Sequence, residues 1–154
     1  TRSGANVVVF RTFGKIYGLA GMPMGYAVAP RGVADSLKRS GLGAAHSLNR
    51  LALTAAAASL RDTGYVDGIR LKVAEERQKW HTLLDTMGRR HSNSRGNFVF
   101  FETGLPHEVI AAQLISEGIE IARAFPPFNH WLRISIGLLA ENVRARDTIK
   151  KFLG

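Results

Sequence analysis

The first thirty residues contain two short apolar runs with a glycine-rich segment between them. Residues 7–10, Val-Val-Val-Phe, are β-branched and aromatic, and they predict a strand buried on both faces, as in a parallel sheet. Residues 24–29 form the second run, which Pro30 stops. Lys15 follows the first run. Because α/β sheets bind ligands at the carboxyl ends of their strands, the pattern predicts a ligand site around Lys15.

Helical patterns occupy the middle of the chain. A short amphipathic helix is predicted over residues 32–39, and the Ser-Gly-Leu-Gly segment that follows is expected to end it. Ser47 is positioned to cap a second helix over residues 48–61, whose small apolar residues predict packing within protein. Apolar residues at three- and four-residue spacing then predict a long helix over residues 65–87.

Strands and helices alternate in the last third of the chain. The predicted strands cover residues 97–101, 119–123 and 131–136, and the predicted helices cover residues 106–117 and 141–152. The order strand, helix, strand, strand, helix is typical of a small α+β domain.

The net charge of +9 would ordinarily indicate a nucleic-acid or anionic-membrane partner. Here the basic residues are spread along the chain and mixed with acidic ones, as in residues 70–79, which predict a solvated helix face. The longest apolar run, residues 51–60, is too short to span a bilayer, and no signal peptide is visible. We therefore expect a cytoplasmic protein without a nucleic-acid or membrane partner.

Cysteine is absent, which excludes a disulfide framework, a cysteine-rich zinc site and a thiol nucleophile. The histidines show no metal-ligand spacing, so no metal site is expected; they are His46, His81, His91, His107 and His130.

Position alone favours a solvated loop lysine at residue 15, because lysine side chains usually keep their charge in water. The surrounding residues 11–30, RTFGKIYGLAGMPMGYAVAP, change this interpretation. They resemble the lysine segment of fold-type I pyridoxal-phosphate-dependent aminotransferases of class I/II, and most closely the histidinol-phosphate aminotransferase branch. That branch usually reads Arg-Thr-Phe-Ser-Lys, then Gly-Leu-Ala-Gly, then Gly-Tyr. The resemblance implies that Lys15 forms a Schiff base with pyridoxal 5'-phosphate.

Two positions depart from this pattern. Gly14 stands where relatives carry serine, and Pro23 stands where they usually carry a phosphate-binding arginine. Losing one charge-assisted contact to the phosphate costs about 1.5–3 kcal/mol. The Thr12 hydroxyl and the Gly14 backbone remain as expected cofactor contacts, and Arg11 or an arginine further upstream is expected to compensate.

The resemblance continues to the end of the chain through NFVFF at residues 97–101, GIEIARAFPP at residues 118–127 and WLRISIG at residues 131–137. It implies that Arg133 binds the carboxylate or phosphate of the substrate and that Arg123 is a second anion contact. A planar guanidinium suits this role because it donates two parallel bonds. Without the resemblance, the pattern favours a solvent-facing residue of an alternating strand at Arg133. Asn97 is either a substrate- or cofactor-orienting residue or simply the start of a strand.

The implied fold class is α/β. Residues 1–63 would form the end of the large cofactor-binding domain, with a mixed, mostly parallel sheet. Residues 64–154 would form a small α+β domain that begins with a long connecting helix. We interpret the chain as the C-terminal part of a longer protein, because it begins with TRSGAN, without an initiator methionine, and leads at once into a predicted strand. The family's acidic partner of the pyridine nitrogen and its ring-stacking aromatic residue have no candidates in the chain, and they are expected in the preceding part.

The function implied for the complete protein is transfer of an amino group between an amino acid or amino-phosphate donor and a 2-oxo acid, in a homodimer. The donor would be histidinol phosphate or an aromatic amino acid. The chain alone is expected to be inactive. Two alternatives stay open from the sequence: a pyridoxal-phosphate-dependent decarboxylase or other lyase on the same fold, and a non-catalytic basic binding domain.

Overall fold

The computed structural model describes residues 5–154. The chain forms two compact units, one that ends at Arg70 and one that spans Leu71–Gly154. The predicted domains, residues 1–63 and 64–154, remain a prediction. The strands and helices, in chain order, are β1 (Val9–Thr12), β2 (Gly25–Val28), α1 (Arg31–Arg39), α2 (Arg50–Ser59), α3 (Thr63–Thr86), β3 (Phe98–Glu102), α4 (His107–Ser116), β4 (Trp131–Ser135) and α5 (Leu139–Leu153).

Strands β1 and β2 form an antiparallel two-stranded sheet in which Thr12 lies opposite Gly25. Every residue of both strands is exposed, and Phe10 is 70% exposed. The predicted parallel-type strand buried on both faces is therefore wrong for this structure. Burial on two faces needs further strands and covering layers. Among the residues that the structure describes, the two strands pair only with each other.

The helices of the first unit lie close to their predicted positions but bury little. Within residues 5–154, α1 buries none of its side chains, and α2 buries only Ala52 and Ala56. Leu51 is 74% exposed, so the predicted all-round packing of this helix is not observed. The predicted cap is also wrong. Asn49, not Ser47, caps α2, because its Oδ1 accepts hydrogen bonds from the backbone N–H groups of Leu51 and Ala52 at 2.9 and 3.1 Å.

The second unit contains the main hydrophobic core. Strands β3 and β4 pair antiparallel, with Phe101 opposite Leu132, and alternate residues of both strands face α3, α4 and α5. The buried core residues are Trp80, Leu84, Val99, Phe101, Ile110, Leu114, Leu132, Ile134, Ala145, Ile149 and Leu153. A fully buried side chain of this size contributes roughly 1.5–3 kcal/mol. Most of the stability of the chain therefore lies in this unit.

The predicted strand over residues 119–123 is wrong. This segment is an irregular connection between α4 and β4. Ile119 and Ile121 nevertheless pack against the core, which explains the alternating pattern that suggested a strand. His107 of α4 holds the connection, because its Nε2 donates to the carbonyl oxygen of Ala122 at 2.9 Å.

No helix within residues 5–154 combines the length and the apolar character needed to cross a membrane.

Candidate active site

Lys15 lies on a tight turn at the carboxyl end of β1. The carbonyl oxygen of Lys15 accepts the backbone N–H of Gly18 at 2.9 Å, and Gly18 has a φ of 70°, which favours glycine. The Lys15 side chain is exposed. The predicted position after a strand is therefore confirmed, whereas the surrounding strand is not buried in this structure.

Phe13 anchors the loop that carries Lys15. Its side chain is only 4% exposed, and its ring centroid lies 4.9 Å from that of Tyr17 and 6.0 Å from that of Tyr26. Its backbone N–H donates to the carbonyl oxygen of Met24 at 3.0 Å. Phe13 thus fixes the chain two residues before the lysine. The sequence predicts no role for Phe13, although an aromatic residue inside a glycine-rich loop is a usable signal for such an anchor.

Thr12 and Gly14, two of the predicted cofactor contacts, bind each other. The backbone N–H of Gly14 donates to Thr12 Oγ1 at 3.0 Å. This N–H is therefore already engaged, whereas the hydroxyl proton of Thr12 is still able to donate to another group, because a hydroxyl has one donor and two lone pairs. A Cβ added at Gly14 would make ordinary contacts, 3.4 Å from Thr12 Oγ1 and 3.6 Å from Ala20 Cα.

Arg11 projects from the other face of the hairpin. It lies opposite Tyr26, one register position from the Thr12–Gly25 pair, and successive side chains of a strand point to opposite faces. The hairpin thus separates the Arg11 and Thr12 side chains. At Gly25 the backbone of the opposite strand lies so close that an added Cβ would be only 2.6 Å from the carbonyl oxygen of Arg11.

Arg133 belongs to the second unit and projects from the outer face of the β3–β4 sheet. Its neighbours Leu132 and Ile134 are buried, and Arg133 itself lies opposite Phe100. The centre of its guanidinium lies 4.6 Å from the centroid of the Phe98 ring. It lines a cleft of about 370 Å³, together with the segment after α4 and the start of α5. Within residues 5–154, its guanidinium makes no ion pair or side-chain hydrogen bond, so its donors are available to an anion.

Arg123 lies on the connection before β4. Its guanidinium lies 5.0 Å from the centroid of the Phe125 ring, and its Nη1 donates to the carbonyl oxygen of Ala124 at 3.1 Å. The Phe125 ring meets the Phe100 ring edge to face at 5.9 Å. Since Phe100 lies opposite Arg133, both predicted anion-binding arginines border the same group of aromatic side chains.

Asn97 immediately precedes β3 and is exposed. Its carbonyl oxygen accepts the backbone N–H of Ile136 at 2.9 Å, which extends the β3–β4 pairing by one residue. This contact fits the strand-initiating interpretation and leaves the side chain open to solvent.

A third arginine on the same sheet face, Arg90, is already paired with a carboxylate. Arg90 lies 5.9 Å from the Trp131 ring centroid, and its Nε and Nη2 donate to both carboxylate oxygens of Glu102 at 2.7 and 2.8 Å. Hydrogen bonding to Arg90 lowers the pKa of Glu102. The aromatic side chains under these arginines were missed from the sequence, although Phe98, Phe100 and Trp131 follow the alternation of their strands.

The chain is similar to known proteins over nearly its whole length. Residues 2–146 match the model of the family described as aminotransferase class I and II. The chain is 36% identical over 156 residues to histidinol-phosphate aminotransferase 1 of Psychrobacter arcticus, covering 96% of this chain and 40% of the relative. It is also 36% identical over 154 residues to histidinol-phosphate aminotransferase of Akkermansia muciniphila, covering 99% and 41%.

A solved structure has the same fold. Histidinol-phosphate aminotransferase from Sinorhizobium meliloti, in complex with pyridoxal-5'-phosphate, superposes with a TM-score of 0.79 and is 30% identical, covering 95% of this chain and 42% of that one. The chain thus spans about 40% of the length of the curated relatives it matches. The predicted fold class, a partial α/β fold of the fold-type I aminotransferases, is confirmed. On the family match and these identities, the chain belongs to the class I and II aminotransferases.

Proposed function

We propose that this chain is the C-terminal part of a pyridoxal-phosphate-dependent aminotransferase of the histidinol-phosphate aminotransferase branch. The observation that supports this most directly is the turn after β1, which presents the exposed Lys15 amine close in sequence to the free Thr12 hydroxyl proton. The identity to histidinol-phosphate aminotransferases over nearly the whole chain supports the same branch.

The donor set of this turn fits the cofactor in two respects. A primary amine is the group that bonds covalently to an aldehyde, and a hydroxyl suits a phosphate oxygen. Lys15 would hold the cofactor covalently and Thr12 would bind its phosphate. Gly14 contributes less than predicted, because its N–H already binds Thr12. When bound, pyridoxal 5'-phosphate supplies the electron sink that stabilises negative charge at the substrate Cα.

The residues of this chain would then do two things. The Lys15 amine would act as the base that takes a proton from the donor's Cα and would later give that proton back. Arg133 would bind the carboxylate or phosphate of the donor through two parallel hydrogen bonds and so hold that end of the molecule. Arg123 provides a second anion contact, and Asn97 orients the bound molecule.

The substrates proposed for the complete protein are an amino acid or amino-phosphate donor, histidinol phosphate or an aromatic amino acid, and a 2-oxo acid acceptor. The active form is proposed to be a homodimer. We expect the 154-residue chain by itself to be inactive, because residues 5–154 offer no candidate for the acidic partner of the pyridine nitrogen.

Reduction with borohydride followed by peptide mass spectrometry tests the role of Lys15 in the complete protein. The cofactor adduct is expected on the peptide that contains Lys15 and is expected to disappear in Lys15→Ala. Lys38→Ala, which removes another exposed lysine, from the last turn of α1, is the matched control. An adduct on another lysine would contradict the assignment.

The reaction type is tested with an amino donor and 2-oxoglutarate. Formation of the keto acid together with glutamate supports amino transfer, whereas release of carbon dioxide would indicate a decarboxylase. Salt-sensitive nucleic-acid binding without cofactor uptake would instead indicate a binding domain.

A further inference from the structure

The Phe98 ring lies between Arg133 and a glycine. The guanidinium centre of Arg133 lies 4.6 Å from the ring centroid. The ring edge lies against Gly96, where an added Cβ would be only 2.9 Å from Cε1 and 3.2 Å from Cδ1 of Phe98. The ring therefore occupies space that exists only because residue 96 has no side chain.

The Gly96 backbone is itself fixed on both sides. Its carbonyl oxygen accepts a hydrogen bond from Arg77 Nη1 at 2.8 Å, and its N–H donates to Ser94 Oγ at 3.1 Å. Ser94 is buried, and Arg77 belongs to α3, which supplies the core residues Trp80 and Leu84. The position of Gly96 is thus tied to the core of the second unit, and the position of the ring follows from it.

From these contacts we propose that Phe98 and Gly96 are positioning residues for the anion-binding guanidinium of Arg133. The inference rests on the proposed function, in which Arg133 binds the substrate's carboxylate or phosphate. A guanidinium that lies over an aromatic ring contacts the ring through the flat face of the guanidinium. The five N–H donors lie in the plane of the guanidinium and remain free for other groups. The ring thereby reduces the number of Arg133 conformers without occupying a donor.

The competing interpretation of Phe98 is a packing residue with no effect on Arg133. A packing role predicts that Phe98→Leu lowers stability and leaves substrate affinity unchanged. A positioning role predicts a change in substrate affinity that depends on the aromatic face rather than on side-chain volume. The two roles are therefore distinguished by the split between KM and kcat and by rescue with another aromatic residue.

The experiment uses the complete protein loaded with its cofactor and an amino acid donor. Phe98→Leu is expected to raise the KM for the donor roughly three- to tenfold with kcat changed less than twofold, as expected for loss of one partly exposed cation–aromatic contact. Phe98→Tyr, which keeps the ring, is expected to restore the KM. Gly96→Ala, whose Cβ displaces the ring, is expected to raise the KM as Phe98→Leu does, and it provides the same test if the leucine variant does not fold.

The matched control is Phe152→Leu. Lys151 Nζ lies 5.3 Å from the centroid of the Phe152 ring, so this variant removes a cation–aromatic contact from α5, in this case one made by a lysine. Its KM is expected to remain that of the unsubstituted protein. An equal rise in KM for Phe152→Leu and Phe98→Leu would overturn the inference.

A second readout does not depend on turnover. The Nε–H resonance of Arg133 is expected to show a ring-current shift that is lost in Phe98→Leu and kept in Phe98→Tyr. If this shift and the KM are both unchanged in Phe98→Leu, the positioning role is wrong. If Arg133→Ala leaves the KM unchanged, the proposed substrate contact of Arg133 is wrong instead, whatever the resonance shows.

Discussion

The hydroxyl oxygen of Thr12 accepts the backbone N–H of Gly14 at 3.0 Å. The bond joins the last residue of β1 to the residue before Lys15, so Thr12 both shapes the turn and retains a proton to donate. The two residues predicted as separate cofactor contacts therefore act as one unit, in which only the threonine has a free donor.

Replacement of Thr12 by valine removes the donor while keeping the shape of the side chain. Because a hydrogen bond to a charged phosphate contributes about 1.5–3 kcal/mol, the Kd of the complete protein for pyridoxal 5'-phosphate is expected to rise at least tenfold. Absorbance titration of the cofactor-free protein measures it. Thr12→Ser keeps the hydroxyl and is expected to bind as the unsubstituted protein does. Equal affinities for the valine and serine variants would contradict the role of the hydroxyl.

Replacement of Gly14 by serine restores the residue that the resembling family carries at this position. The contacts of 3.4 and 3.6 Å around an added Cβ leave room for it. The new hydroxyl is expected to tighten cofactor binding by roughly three- to tenfold, in line with one added hydrogen bond. Gly14→Ala, which adds the Cβ without the hydroxyl, separates the two effects in the same titration. If cofactor affinity rises equally in both variants, the gain comes from the changed backbone conformation and not from the hydroxyl.

Replacement of Gly25 by alanine is expected to disrupt the β1–β2 pairing. The added Cβ would lie 2.6 Å from the carbonyl oxygen of Arg11, and backbone cannot move away without breaking the strand pairing. A cost of about 1–3 kcal/mol is expected, since overpacking costs of this size are typical. Amide hydrogen exchange of residues 9–12 in the 154-residue chain measures the loss of pairing.

Gly21→Ala is the control for this change, because an added Cβ there has no atom within 4 Å in the part of the chain that the structure describes. Its hydrogen exchange is expected to match that of the unsubstituted chain. Equal exchange in the two variants would show that the close approach at Gly25 has no energetic consequence.

Glu76 predicts the acid sensitivity of the second unit. Burial by itself raises the pKa of Glu76. Hydrogen bonds from Lys79 at 2.5 Å and Arg146 at 2.8 Å lower it by more than burial raises it, so the pKa of Glu76 is lowered overall. A carboxylate with a lowered folded-state pKa stabilises the protein fully at pH values above its ordinary unfolded-state pKa. That stabilisation is lost as the pH falls through the lower folded-state value.

Urea unfolding at pH 7 and at pH 3 tests this expectation. The free energy of unfolding of the unsubstituted chain is expected to fall more between these pH values than that of Glu76→Gln, which has no carboxylate to protonate. Glu75→Gln, at an exposed neighbouring position, is expected to keep the full pH dependence. An identical pH dependence for Glu76→Gln and the unsubstituted chain would refute the contribution of the Glu76 carboxylate and its two ion pairs.

The predictions for the second unit were mostly correct because its elements bury one face each. Strands β3 and β4 place alternate residues in the core, and α3, α4 and α5 repeat apolar residues at helical spacing. The type of each element can therefore be predicted from residues that are near one another in the sequence. The same alternation correctly predicts that Arg133 points away from Leu132 and Ile134. Residues 119–123 follow a similar apolar pattern without pairing, because an extended connection buries alternate residues just as a strand does.

The amino-acid sequence by itself determined the family, the position of Lys15 on a turn after a strand and the outward direction of Arg133. Each of these depends on residue types within a few positions of one another. Only the tertiary structure decided that β1 and β2 pair antiparallel with both faces exposed, and that Gly96 leaves room for the ring that contacts Arg133. These features depend on which distant segments pair and on a space left by a missing side chain, and no local pattern of residues encodes either one.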